Sequence, residues 1–104
     1  MLSCSPLAYS AQSNADFAAM CANVFLTIRD RQPKNSPDWN ATHNRAMEFT
    51  KKASQYGGDA AIISMANGAT DISSSLKQDP SLYQSAIIPA AKNCNASASR
   101  VGLQ

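Results

Sequence analysis

Apolar residues recur at helical spacing along most of the chain. Phe17, Cys21, Val24 and Ile28 follow one another at intervals of four, three and four, and Ala18, Met20 and Phe25 widen the stripe. The spacing predicts an amphipathic helix over about 14–31. Ser13 or Asn14 can cap it. Asp16 suits the positive end of the helix dipole, Arg29 and Arg31 suit the negative end, and Pro33 stops the helix. Beyond the polar linker 32–35, Ser36-Pro37-Asp38 announces a second helix, with Ser36 as N-cap and Pro37 in the first helical position. Trp39, Ala46, Phe49, Ala53 and Tyr56 form its stripe, with Thr42 filling it, and Gly57-Gly58 is read as its stop.

Asp59 then caps a predicted third helix, in which Ile62, Met65, Ala69, Ile72 and Leu76 lie three or four apart. Gly68 sits inside it. An interior glycine costs about 1 kcal/mol relative to alanine, so a close approach by a neighbouring backbone, or a bend, is expected there. Asp79-Pro80 repeats the cap-plus-proline signal and opens a fourth helix through Leu82, Tyr83, Ala86 and Ile87 towards Cys94. Pro89 lacks the backbone donor and should kink or break that helix. No stretch of useful length alternates apolar and polar residues. The predicted fold is all-α, a compact antiparallel bundle of about four helices, the last kinked or broken at Pro89. Residues 1–11 read as a signal-peptide remnant or a disordered N-terminus, 12–95 as a single helical domain, and 96–104 as a flexible C-terminal tail.

Composition narrows the function classes. The chain has 104 residues, which suits one domain. Charged residues are 15% and the net charge is +2, with basic residues scattered and Lys51-Lys52 the densest group. That pattern lacks the basic clustering of a nucleic-acid footprint, so no nucleic-acid partner is expected. No apolar run approaches the roughly 18 residues of a membrane span. The start, Met-Leu-Ser-Cys-Ser-Pro-Leu-Ala-Tyr-Ser-Ala, resembles the end of a secretory signal: Pro6 supplies the break, and Ala8 and Ser10 supply small residues for cleavage after Ser10 or Ala11. Removal of that segment takes Cys4 with it and leaves Cys21 and Cys94 as a pair. A disulfide between them, in a periplasmic or secreted protein, is the expectation. The alternative reading of buried free thiols stands beside it, as does a lipid anchor carried by Cys4.

Candidate chemistry is sparse. His43 is the only histidine, and Trp39 precedes it by four residues, so both share one helix face. They are the candidate partner-contact residues. Catalysis by His43 would need a carboxylate from another helix, such as Asp71 or Asp79. No nucleophile elbow, phosphate loop or haem-attachment motif is present, and the cysteines and histidine lack zinc-ligand spacing. The sequence therefore calls for no catalytic residue, metal or cofactor. Cys21-Ala22-Asn23-Val24-Phe25 in an opening helix and Ile88-Pro89-Ala90-Ala91-Lys92-Asn93-Cys94 at the close resemble the layout of small exported bacterial helical proteins with one distant cysteine pair. Acid-protective periplasmic chaperones and immunity proteins against secreted wall-degrading toxins share that layout. The resemblance covers cysteine layout and size. It implies a small exported protein that binds a protein partner in the cell envelope, as an inhibitor or immunity-like protein. A structural or stress-protective periplasmic protein is the alternative, and a small enzyme using His43 is a further one. The sequence leaves the oligomeric state open.

The signal reading has a direct test. Mass spectrometry of the exported protein should show a chain starting near Ala11 or Gln12. An exported species retaining Met1 or Leu2 would refute cleavage, and a lipid mass on Cys4 would favour the anchor.

Overall fold

Ser13 caps the first helix, α1 (Asn14–Arg29), by accepting a hydrogen bond from the Asp16 N–H at 3.0 Å. Asp30 follows as the C-cap, and Arg29 sits in the last turn. Ser36 caps the second helix, α2 (Pro37–Gln78), in the same way, through the Trp39 N–H at 3.1 Å. A π-helical turn (Tyr83–Ile87), a third helix, α3 (Ile88–Ala96), and a 3-10 turn (Ala98–Val101) complete the chain. This computed structural model describes residues 12–104, so the expected cleavage site and Cys4 lie outside the described residues. Among the described residues there is no strand, and the all-α reading holds.

The helix count differs from expectation. The predicted second and third helices are joined in α2 with no linker between them, giving three α-helices among the described residues. A straight 42-residue helix would span about 63 Å, yet the longest dimension of the molecule is 49 Å. The bend falls at Gly58, whose φ of 62° and ψ of −150° are non-helical and suit glycine. It is sharp: the Thr50 hydroxyl lies 3.8 Å from the Met65 sulfur, although 15 residues separate them. Gly57 stays helical and serves a different purpose. A Cβ there would lie 2.7 Å from the Cβ atoms of both Ala15 and Ala61, so glycine is what lets α1 and the bend touch.

Contacts fix the chain directions. Arg29 meets His43, Phe25 and Phe17 meet Phe49, and Ala15 approaches Gly57, so the arm 37–57 runs antiparallel to α1. Asn23 meets Met65 and Gly68 beyond the bend, which makes the arm 59–78 parallel to α1. The last stretch runs antiparallel again, with Tyr83 beside Arg31, Cys94 beside Cys21, and Arg100 beside Asn14. α1 is thus the central element, with a continuous buried run from Cys21 to Phe25. Phe49 is fully buried, edge-on to Phe17 at 6.1 Å and stacked on Phe25 at 5.7 Å between ring centroids.

The helical run continues through Pro89, where a kink or break was expected. Pro89 sits in the first turn of α3, and the preceding π-turn absorbs the interruption, with the Ile88 N–H reaching the Tyr83 carbonyl five residues back. Helical backbone follows Asp79-Pro80 from Leu82 through the π-helical turn and α3 to Ala96, although neither residue takes the expected cap and first-turn places. Asp79 ends α2, and its carboxylate accepts from the N–H and hydroxyl of Ser81. Residues 96–104, for which fraying is expected, carry the 3-10 turn. Val101 there is fully buried, and Gly102 closes the turn in the left-handed conformation.

Cys21 and Cys94 lie at disulfide distance, with Cα atoms 5.7 Å apart and 73 residues between them. In the chain-entropy account such a link is worth about 4 kcal/mol, against 5–15 kcal/mol for a typical domain. Thiol counting under denaturing, non-reducing conditions should find neither Cys21 nor Cys94 reactive. Reduction should lower the unfolding free energy by about 2–4 kcal/mol while leaving most helical circular dichroism in place. Two reactive thiols at these positions would exclude the link.

Candidate functional site

Trp39 and His43 come together as their spacing predicts. They project from adjacent turns at the start of α2, with ring centroids 5.0 Å apart and planes within 5° of parallel. Both are half-buried. The sequence does not reveal the third member of the group. Arg29, from the last turn of α1, lies with its guanidinium carbon 5.2 Å from the Trp39 ring centroid. It also makes a 2.9 Å hydrogen bond to His43 Nδ1 and a 2.9 Å ion pair with Asp30. The guanidinium carries donors alone, so His43 Nδ1 is the acceptor and the ring proton resides on Nε2. Arg29 is recruited because α1 and the arm 37–57 are antiparallel, which brings the end of one beside the start of the other.

Neither candidate carboxylate partner of His43 is hydrogen-bonded to it. Asp79 binds Ser81, and Asp71 lines clefts along the arm 59–78. Among the described residues no three His, Cys, Asp or Glu side chains converge as a metal site. No described helix is long and apolar enough to cross a membrane.

A second feature lies where α1 meets the arm 59–78. Asn23 is the one polar residue in the buried core of the described chain, 4% exposed. Its Nδ2 donates to the Met65 carbonyl at 2.8 Å, and its Oδ1 is buried without a donor. Leaving such an acceptor unpaired costs about 1–3 kcal/mol. Gly68 makes room for this amide, since a Cβ there would lie 2.8 Å from Asn23 Nδ2. Where a backbone approach or a bend was expected at Gly68, a side chain fills the space and the helix stays regular. The available signal was a lone asparagine inside the apolar run Cys21–Phe25. Beyond Asn23 a cleft of about 430 Å³ opens between α1 and the arm, with Leu26, Ile72 and Leu76 on its walls and Arg29, Asp30, Arg31 and Lys77 among its polar lining. No family model, curated protein or solved structure matches this chain.

The Arg29–His43–Trp39 stack makes two measurable statements. Nitrogen shifts of His43 in neutral form should report the Nε2–H tautomer. In R29A the tautomers should mix, Trp39 emission should move to longer wavelength, and stability should fall by about 1–2 kcal/mol from loss of the hydrogen bond and the cation–π contact. An unchanged tautomer and spectrum in R29A would show that the stack is not formed in solution.

Proposed function

We propose that the protein acts by binding a partner protein in the cell envelope, in the manner of an inhibitor or immunity protein, through the face that carries Trp39 and His43. The observation behind this reading is the Arg29–Trp39–His43 stack. Trp and Arg are enriched among the few residues that dominate protein interfaces, and anchors already held in place lose little entropy on binding. Here the indole and imidazole are stacked, half-exposed and held by a guanidinium that is itself ion-paired.

Export to the periplasm or beyond is part of the proposal. A cysteine pair at disulfide distance is compatible with an oxidising compartment, and the N-terminal sequence reads as the end of a signal. Attachment through Cys4 is the alternative. A catalytic role for His43 is disfavoured by its neighbours, because Nδ1 is taken by a cation and the stacked indole offers no proton acceptor. Nothing specific favours the structural or stress-protective alternative.

Affinity capture from the host envelope fraction tests the reading. Wild-type protein should retain a partner in near-stoichiometric amount. W39A/H43A, with unchanged helical content, should lose it, corresponding to a cost of 2 kcal/mol or more, about 30-fold in affinity. Equal retention by both proteins would remove this face from the interaction.

A further inference from the structure

His43 accepts a hydrogen bond that only a neutral ring can accept. Arg29 Nη1 donates to His43 Nδ1 at 2.9 Å, and a guanidinium has no acceptor to offer in return. Protonation of the imidazole puts an N–H on Nδ1, so two positively charged donors then face each other. Among the described residues no carboxylate pairs with His43, so the new N–H gains no carboxylate partner. The charged groups around the ring leave Arg29 free to part from it. On α1, Arg29 also holds Asp30, through Nε at 3.1 Å and Nη2 at 2.9 Å, and neither bond depends on His43. Arg31 lies against the Tyr83 ring instead. Lys34 in the linker and Asp38 in the first turn of α2 form no ion pair among the described residues. Arg45, further along α2, is tied to Glu48 and Asn95. Arg29 is also the connection to Trp39. Its guanidinium carbon is 5.2 Å from the indole centroid, and His43 is stacked on that same ring at 5.0 Å. A protonated His43 brings its own positive charge to the indole, so two cations compete for one ring.

Histidine is the side chain that ordinarily changes charge between about pH 5 and 8, and His43 is the only one in the chain. We propose that protonation of His43 expels Arg29 from the Trp39–His43 stack, so that this face is assembled while His43 is neutral and comes apart in acid. The Arg29 contact is present above the pH range in which His43 titrates and is lost as the pH falls through it. The consequence for binding rests on the reading of this face as the partner site: a partner that needs the assembled face binds more weakly in acid. By linkage, that partner in turn disfavours the proton on His43.

The test is an NMR titration of the intact protein from about pH 8 to about pH 5. The Arg29 δ-protons, held over the indole, should carry an upfield ring-current shift at the alkaline end. Most of that shift should disappear in the same step in which the His43 ring signals move. In H43Q, whose amide oxygen accepts a hydrogen bond without titrating, the Arg29 signals should stay nearly constant across the range. An Arg29 shift that persists while His43 titrates, or that is lost equally in H43Q, would overturn the proposal. Partner capture from the envelope fraction is then repeated with wild-type protein at both ends of the range. Retention should fall at least about fivefold at the acid end. Equal retention at both ends, with the Arg29 step present, would remove the control of binding. Failure to capture a partner at either pH counts against the partner face alone, because the Arg29 step is read on the protein by itself.

Discussion

Alanine supplies eight of the sixteen buried apolar residues of the described chain, and this governs how its helices meet. A methyl side chain offers little area to bury but lets backbones approach closely. Gly57 carries that to its limit, where α1 and the bend of α2 leave no space for a Cβ. Large side chains are then needed at few places. Phe49 is the main one, clasped between Phe17 and Phe25. Arg45 and Arg100 cover the outer surfaces of this aromatic group, 5.0 Å from the Phe49 centroid and 4.9 Å from that of Phe17. Their guanidinium groups lie over the rings and are held there by polar partners, Arg45 by Glu48 and Asn95, and Arg100 by Asn14 and Gln12. A core so dependent on small residues gains less per position from burial than a leucine-rich one. A disulfide between Cys21 and Cys94, which lie at bonding distance, would therefore carry a large share of the stability. It would join the centre of α1 to the closing turns of the last helix.

The parallel course of α1 and the arm 59–78 is the second organising feature. Parallel helices place their C-terminal ends together, so their unpaired carbonyls create a region of negative potential. Arg29, Arg31 and Lys77 gather there. Contact between the two elements is tight at Asn23 and Gly68, where a side-chain amide fits against bare backbone. Further along, larger residues such as Leu26, Ile72 and Leu76 border open space in place of a closed interface. The same arrangement thus yields a rigid junction at one level and a lined cleft at the next.

Arg29 connects these levels. On one side it orders His43 and Trp39, and on the other it borders the cleft. A side chain in that position ties the geometry of the aromatic face to that of the helix end. The face is consequently a property of the packed structure, although its two aromatic members belong to one turn of α2.

Much of the architecture was legible in the chain. The caps Ser13 and Ser36, the proline at position 37 and the apolar stripes are local matters, decided by backbone donors, dipoles and side-chain periodicity within a few residues. The pairing of Trp39 with His43 is equally local, because positions four apart share a helix face. Sequence spacing could also nominate Cys21 and Cys94, but their meeting needed the last stretch to run antiparallel to α1 and to extend past Cys94 to the buried Val101. Tertiary packing decided what local rules leave open. Gly57-Gly58 was read as the end of one helix, yet a single non-helical residue at Gly58 turns the chain while helix resumes on both sides, since α1 holds the two arms together. The places of Arg29 on the Trp39 ring and of Asn23 against Met65 depend on which helices become neighbours and in which direction they run. Those choices follow from closure of a small, alanine-rich core, a global constraint that no short window of residues contains.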